Sequence, residues 1–366
     1  MTLRGRWFLL GAWALTTRCA VVVTALLMHA LRWPKGFFGR SEFGPLLGVL
    51  GSWDGIWYRI VARDGYLLIP GRQSDPAFFP LYPILLRAVR ALGIPYLAGG
   101  VLMSNLAFAG AILGFYGLGR AVVREDVAWR AALLAAAFPS GFVFSMLYPE
   151  SIVFAALVLA LLCALRERWL FAAAAGALAA LGRPEAVLFV IPLAASARRR
   201  WRHLPPQQRA EALGAVAAPL VSAATFPLYL GWTLHNIYAW SWAERAWGRS
   251  FQPAGLLHAF TRLGTLVAHN HWLVRDIAFA ALYLLLLWPA RRAGVGLAWI
   301  ASAMLVVLLP LTSGSFVSEA RFGLLALPTY WGLASLARPR TVLAALLALS
   351  TTLLVAETIT LPWTYP

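Results

Sequence analysis

The segment GSWDGIWYRIVARDGY, residues 51–66, places two aspartates and two arginines among tryptophans and tyrosines. Asp54 falls in the first turn of a predicted helix over residues 52–63, which Ser52 is expected to cap, and the helix dipole favours a negative charge there. A carboxylate in this position can take a proton from a hydroxyl group, as a general base does. The alternative is that Asp54 only stabilises the start of the helix.

Asp64 is the second candidate for a catalytic carboxylate. If the helix persists, ten residues separate it from Asp54 by about 15 Å, which is too far for a tight carboxylate pair. Two roles therefore stay open for Asp64. In the first role, Asp64 orients Asp54 or the acceptor, the substrate whose hydroxyl group would lose the proton. In the second role it forms a turn, because Asp-Gly is a good turn signal.

The predicted helix is too short to cross a membrane, and its apolar residues recur at i, i+3, i+4, i+7 and i+8, which makes one face. This face consists of Trp53, Ile56, Trp57, Ile60 and Val61. We expect the helix to lie flat at the membrane interface with its tryptophans at head-group depth. Tyr58, Arg59 and Arg63 are predicted to lie on the remainder of its surface.

Several arginines near the ends of apolar segments are candidates for binding a phosphate. Arg321 and Arg183 carry a planar fork of donors that matches phosphate oxygens, and the alternative for both is snorkelling to the membrane interface. Arg249, with Trp247 two residues before it, is a further candidate for contact with a ligand. The alternative for Trp247 is an anchor at the membrane interface.

The elements that must position these residues are apolar helices. Of the 366 residues, 61% are hydrophobic and 12% are charged, whereas about a quarter are charged in a soluble protein. Runs of about 20 apolar residues are typical of helices that cross a bilayer core of about 30 Å. We predict one domain, residues 1–366, that is an all-α polytopic membrane protein with about eleven crossings. The predicted spans are 7–31, 95–118, 131–148, 151–165, 169–182, 185–197, 211–234, 273–290, 294–311, 323–337 and 341–360.

Loops rich in arginine alternate with loops that are not, which predicts a cytoplasmic N-terminus in the cell membrane. The basic loops lie near residues 4–6, 120–130, 166–168, 198–202, 291–292 and 338–340. The extracytoplasmic segments are then 32–94, 148–151, 182–185, 235–272 and 312–321. Most of the 14 acidic residues fall on this outer side, so we expect the chemistry there. The net charge of +17 is explained by cytoplasmic loops and anionic lipids, and no nucleic-acid partner is predicted.

The first outer segment resembles that of a known enzyme family. WDGIWYRIVARDGY followed by AFFPLYP is similar to the first outer loop of the PIG-V mannosyltransferases, relatives of the enzyme that adds the second mannose of glycosylphosphatidylinositol anchors. Bacterial members of this family exist. Four further stretches look like the same family, in the same order: FPSGFVFSMLYPES (138–151), GRPEAVLF (182–189), WAERAWGRSFQP (242–253) and SEARFGLLALP (318–328).

One departure from the family pattern concerns the residues around Arg183 and Pro184. Family members commonly have Thr or Ser before this pair and a small polar residue after it, whereas this chain has Gly182 and Glu185. Glu185 either alters the choice of acceptor or only pairs with Arg183.

The resemblance implies a GT-C glycosyltransferase fold. It also implies transfer of mannose, or a related hexose, from a polyprenyl-phosphate donor to a lipid-linked or cell-envelope glycan on the extracytoplasmic face. Asp54 would be the general base of an inverting reaction. The candidates for binding the donor phosphate or sugar are Arg321, Arg183, Arg249, Trp247 and Tyr58. Glu150 and Glu185 are the candidates on the acceptor side.

The predicted partners are the sugar donor, the acceptor and membrane lipids, and a small membrane subunit is left open. No cofactor is expected. The histidines of the HNH motif, His269 and His271, suggest a metal site, but no carboxylate cluster accompanies them, and we expect no requirement for a divalent metal. The competing function is a transporter or flippase of a lipid-linked sugar or another amphiphile, which should place polar residues near the bilayer midplane.

Overall fold

The computed structural model describes residues 2–261, 263–269 and 272–366. Within these ranges the chain forms seventeen α-helices and five short 3-10 segments, and it forms no strand. The α-helices are α1 (Leu3–Ala30), α2 (Asp54–Asp64), α3 (Leu81–Ala91), α4 (Tyr96–Val122), α5 (Glu125–Ala136), α6 (Glu150–Leu165), α7 (Trp169–Gly182), α8 (Val190–Arg200), α9 (Pro206–Thr233), α10 (Ala239–Ala246), α11 (Gly255–Thr261), α12 (Leu263–His269), α13 (Leu273–Arg292), α14 (Leu297–Leu311), α15 (Glu319–Phe322), α16 (Pro328–Leu336) and α17 (Arg340–Thr360). The 3-10 segments are Gly48–Gly51, Asp75–Ala77, Pro139–Ser145, Pro184–Phe189 and Gly323–Leu325. The all-α prediction is confirmed for the described residues.

Five of the described helices are long and apolar enough to cross a membrane, namely α1, α4, α9, α13 and α17. A sixth candidate arises if α5 and the 3-10 segment after it, which meet at 69°, are one broken span. Helices α6, α7 and α14 are apolar but shorter than a straight crossing needs. The chain thus has the helices of a polytopic membrane protein, and the number of eleven crossings stays a prediction.

The break after α5 is held by Arg18, which lies inside the bundle. Pro139 cannot continue the hydrogen bonding of α5, so backbone oxygens at the bend need other donors. The buried guanidinium of Arg18 donates to the backbone oxygens of Gly141 at 2.5 Å and Ala136 at 3.3 Å, and to the hydroxyl of Ser145 at 3.1 Å. A cation buried among apolar helices is stabilised by such hydrogen-bond partners. Here the hydrogen bonds of Arg18 fix the bend between α5 and the 3-10 segment.

The core helices pack in one connected series, because α4 packs against both α6 and α5. Helix α6 packs between α4 and α7, and α7 packs against α9, while α16 packs between α13 and α5. At Gly332 of α16 an added Cβ atom would lie 2.0 Å from the backbone oxygen of Leu286 in α13. Only glycine permits this approach of the two backbones.

Helix α2 differs from the prediction in its cap and in its buried face. It begins at Asp54, and the hydroxyl of Ser52 donates to the backbone oxygen of Val49 at 2.7 Å instead of capping the helix. The buried face consists of Asp54, Gly55, Tyr58, Val61 and Ala62. Most of the predicted apolar face is only half-buried. Asp54 and Tyr58 turn inward because their partners lie inside the protein, whereas Arg59 is half-buried and Arg63 is exposed.

Candidate active site

A cavity of about 530 Å³ lies at one end of the bundle. Its walls come from α2, the turn after α7, α10 and its following loop, the end of α14, α15 and the last residues of the chain, so segments predicted to be extracytoplasmic meet here. The charged residues that line it include Asp54, Arg183, Glu185, Glu244, Arg249 and Arg321. Aromatic residues such as Tyr58, Phe78, Trp247 and Phe322 form much of the rest. A cavity with apolar walls and a few convergent polar groups is typical of a small-molecule site.

The carboxylate of Asp54 is buried and both of its oxygens are hydrogen-bonded. Oδ2 accepts from Nη1 of Arg321 at 2.6 Å, and Oδ1 accepts from the hydroxyl of Tyr365. The backbone N–H of Asp54 donates to the hydroxyl of Tyr148 at 3.0 Å, which satisfies a helix donor that lacks a side-chain cap. Asp54 is thus held from three different parts of the chain.

The residue before Asp54 is strained and anchored. Trp53 has φ +56°, a left-handed value that is unfavourable for a bulky residue. Its indole N–H donates to the backbone oxygen of Leu361 at 2.7 Å, and its ring packs edge to face on Tyr365. Strain of this kind persists where surrounding contacts determine the backbone, and it is concentrated at functional sites.

Arg321 is positioned by the short helix α15. The carboxylate of Asp276, in α13, accepts the backbone N–H groups of Ser318 at 3.0 Å and Ala320 at 3.1 Å. Ser318 adopts the left-handed region with φ +67°, and α15 starts directly after it. Asp276 therefore fixes the turn that directs Arg321 towards Asp54.

Glu150 connects Arg321 to a second group of charges. It is fully buried, forms an ion pair with Arg183, and has Oε1 at 3.6 Å from Nε of Arg321. Arg183 also binds Glu185 through Nε at 3.1 Å and Nη2 at 3.0 Å. Glu150 and Glu185, the two acids predicted for the acceptor side, are thus both paired with Arg183. For Glu185, this pairing is one of the two roles predicted from the sequence.

Three guanidinium groups surround the ring of Phe322. The ring centroid is 4.5 Å from Arg249, 4.6 Å from Arg183 and 5.2 Å from Arg321. Arg249 donates to the backbone oxygen of Val317 at 3.2 Å, and it forms no ion pair with any described residue. Its charge therefore stays available to an anionic ligand in the cavity.

Trp247 and Tyr58 line the cavity from an aromatic cluster. The indole N–H of Trp247 donates to the backbone oxygen of Ser74 at 3.2 Å, and its ring meets Trp57 and Phe78 edge to face. Tyr58 is buried and also contacts Phe78. The predicted contact of Trp247 with a sugar is compatible with this position because its ring borders the cavity.

Asp64 lies outside the site. It is exposed at the last residue of α2, forms an ion pair with Arg63 at 2.7 Å, and is followed by Gly65 with φ +86°. This is the turn role that the Asp-Gly pair suggested. The structure does not bring Asp64 together with Asp54.

A second cavity, of about 500 Å³, adjoins the first. The two cavities share Asp54, Trp247, Arg249 and Tyr365 as lining residues. Aromatic and polar side chains together form the rest of the second cavity, including Phe37, Arg40, Glu42, Trp57 and Trp272. The carboxylate of Asp54 is therefore at the junction of two spaces, each large enough for a small molecule.

Two further acids near the cavities have raised pKa values. Burial raises the pKa of Glu244, which lines the first cavity, to about 7 although Arg249 opposes this. Burial also raises the pKa of Glu319 well above its usual range, and neither of its carboxylate oxygens has a hydrogen-bond partner among the described residues. Burial therefore favours the protonated form of Glu319, and Glu244 titrates close to neutrality.

Sequence reasoning missed four residues that shape the site: Tyr148, Glu244, Asp276 and Tyr365. Tyr148 precedes a proline between two apolar runs, and Asp276 begins one, positions where interfacial residues are common. Tyr365 lies 311 positions after Asp54, and no sequence spacing connects the two. Only the fold shows that these side chains meet.

In the described part of the chain, no three His, Cys, Asp or Glu side chains come together in a way that could hold a metal ion. His271 and the side chain of His269 lie outside the described residues. The absence of a metal requirement stays a prediction.

No protein-family model matches this chain, and no curated protein matches it.

Proposed function

We propose that this protein is a membrane glycosyltransferase of the GT-C type, related to the PIG-V mannosyltransferases that its motifs resemble. It would transfer mannose, or a related hexose, from a polyprenyl phosphate to a lipid-linked or cell-envelope glycan on the extracytoplasmic face of the cell membrane. The observation that carries the proposal is the buried Asp54 carboxylate, bound to Arg321 at the junction of two cavities.

In this reaction Asp54 is the general base. It takes the proton of the acceptor hydroxyl, the acceptor oxygen bonds to C1 of the sugar, and the bond from C1 to the phosphate oxygen breaks with its electron pair going to the phosphate. The donor carries its own leaving group, so one carboxylate suffices. We assign the proton transfer to Asp54 alone; the other carboxylates that line the cavities are Glu185, which is paired with Arg183, Glu244 and Glu42. A single displacement inverts the anomeric centre, and a β-linked donor then yields an α-mannoside.

Arginines supply the electrostatic part of the mechanism. Charge builds on the departing phosphate, and preorganised cations stabilise that charge better than water does. Arg249 lines both cavities and forms no ion pair among the described residues, which makes it the first phosphate contact. Arg321 and Arg183 lie beside it around Phe322 and complete the cationic wall. Trp247 and Tyr58 offer aromatic surface to the sugar.

The arrangement of polar groups favours an enzyme over a transporter or flippase. A transporter is expected to place its substrate and ion sites near the bilayer midplane. Here Asp54, Glu150, Arg183 and Arg321 collect at one end of the bundle, where short helices and turns meet. This end is where a substrate with a lipid tail and a polar head would present its head group.

The test is transfer from labelled polyprenyl-phosphate mannose by the purified protein to candidate acceptors. Asp54→Asn should lower kcat about 10²- to 10⁴-fold, because the amide cannot take the proton. The matched control is Asp64→Asn on the same helix, which should retain activity. NMR of the product should show an α-linkage, and a chelator should leave the rate unchanged. Full activity of Asp54→Asn in the folded protein would refute the proposed role of this site.

A further inference from the structure

Tyr365, in the segment that follows α17, lines both cavities. The hydroxyl of Tyr365 donates to Oδ1 of Asp54, and both residues line both cavities. The segment is anchored by hydrogen bonds from other elements. Nη2 of Arg275 donates to the backbone oxygen of Tyr365 at 2.6 Å, and the indole of Trp53 donates to the backbone oxygen of Leu361 at 2.7 Å.

This contact occupies the atom that catalysis needs. Arg321 binds Oδ2 of Asp54, so Oδ1 is the oxygen left for a proton donor, and Tyr365 already fills that place. The phenol is a hydroxyl donor to a carboxylate, which is the same chemistry that an acceptor alcohol presents. Burial, together with the neighbouring Asp54 carboxylate, raises the pKa of Tyr365, so its proton stays on the phenol and is donated.

We propose, on the basis of the function proposed above, that Tyr365 occupies the acceptor position: its hydroxyl covers Oδ1 of Asp54 until an acceptor alcohol displaces it. Displacement opens the wall between the cavities and brings the acceptor oxygen to the base. While Tyr365 is bound, its hydroxyl competes with water for Oδ1, so the donor is less exposed to hydrolysis. Tyr365 thereby makes the reaction selective for an alcohol that binds well over water.

Steady-state kinetics of Tyr365→Phe test this role, with octyl α-mannoside as the acceptor and polyprenyl-phosphate mannose as the donor. When a ligand must displace a competing group, its apparent affinity equals its intrinsic affinity multiplied by the fraction of protein in which the site is open. A hydrogen bond to a charged group accounts for about 10-fold or more in such an equilibrium. We therefore expect a KM for the acceptor lowered several-fold and a faster release of free mannose without acceptor. Tyr238→Phe, which removes an exposed hydroxyl in the outer loop, is the control.

The possible outcomes separate this role from a structural one. A lower kcat with an unchanged KM and unchanged hydrolysis would show that Tyr365 only orients Asp54, and it would overturn the proposal. If Tyr365→Phe does not fold, Arg275→Lys replaces it. The lysine keeps a charge for Glu357 but loses the fork that reaches the Tyr365 backbone oxygen, so it should also lower the KM. An unchanged KM in Arg275→Lys would overturn the proposal.

A second measurement does not depend on transfer. A cysteine at Thr364, in a protein with Cys19 and Cys163 replaced by serine, leaves Tyr365 intact and can be labelled with a maleimide. Octyl α-mannoside should increase the labelling rate several-fold by releasing the segment, and an unchanged rate would contradict displacement. If the wild-type protein transfers no mannose, the proposed function fails, and this labelling result alone decides whether an alcohol displaces Tyr365.

Discussion

At the scale of single residues, the site depends on a chain of buried charges in which each group has more than one partner. Arg321 contacts Asp54 through Nη1 at 2.6 Å and faces Glu150 through Nε at 3.6 Å. Glu150 in turn binds Arg183. Removal of one member of a buried pair leaves an uncompensated charge, which is more costly than the pair is favourable. The geometry of the guanidinium is therefore as important as its charge.

Arg321→Lys tests this geometry. A lysine keeps the positive charge but has one nitrogen, so it cannot reach Asp54 and face Glu150 at the same time. We expect transfer activity to fall at least about 10-fold, from the loss of a charge-assisted hydrogen bond in the site. Arg292→Lys, at an exposed arginine in the last turn of α13, should leave the rate unchanged. Equal rates for the two variants, measured with labelled donor, would remove Arg321 from the mechanism.

At the scale of elements, the position of the site depends on how closely α13 and α16 pack. Helix α13 carries Asp276, which holds the turn before Arg321, and α16 follows that turn in the chain. Gly332 brings α16 against the backbone of α13 near Leu286. A change in the distance between α13 and α16 would move Asp276, which holds the turn before Arg321, relative to α16, which follows Arg321 in the chain.

Gly332→Ala should destabilise the protein. Its new methyl group would lie 2.0 Å from a backbone oxygen, which cannot move aside as a side chain would. Overpacking of this kind costs about 1–3 kcal/mol or more. Gly110→Ala is the matched control, because Gly110 is also inside a helix and an added Cβ there meets nothing within 4 Å. The control should be neutral or gain up to about 1 kcal/mol. Thermal unfolding in detergent measures both, and a Gly332→Ala midpoint at or above that of Gly110→Ala would contradict the packing argument.

At the scale of the whole molecule, the charges divide the bundle into two ends. The segments predicted to be extracytoplasmic supply Asp54, Glu150, Arg183, Arg249 and Arg321 to one site. The arginine-rich loops contribute separate surface pairs, such as Arg6 with Glu125 and Arg200 with Glu167. The positive-inside rule assigns the second end to the cytoplasm, which would place the site outside.

Cysteine labelling tests this orientation in intact cells, again without Cys19 and Cys163. A cysteine at the exposed Arg72, in the first outer loop, should react with an impermeant maleimide before lysis. A cysteine at Arg292 should react only after lysis. The opposite labelling pattern would show that the protein has the inverse orientation in the membrane, and it would exclude an extracytoplasmic site.

The sequence was sufficient for the long apolar helices and for several residues that line the first cavity, such as Asp54, Arg249 and Arg321. It was not sufficient for Tyr148, Asp276 and Tyr365, whose contacts hold them in place. Hydropathy located the long helices because each buries apolar side chains independently of its neighbours. The buried face of α2 was wrong because the partners that draw Asp54 and Tyr58 inward come from distant segments. The same reason explains why Tyr365 was missed. The break at Pro139 was also not predicted, since it depends on Arg18 reaching the freed backbone oxygens.

The pairing of Arg183 and Arg321 with three carboxylates has a consequence for turnover. After each cycle of the proposed reaction the spent lipid carrier must leave with its phosphate. A cluster of bare cations would hold that product tightly and would slow the enzyme through product inhibition. Here Asp54, Glu150 and Glu185 are paired with these guanidinium groups, and in the proposed reaction they would compete with the phosphate and recover their partners as it departs. In that reaction the acids would limit how long the carrier stays bound.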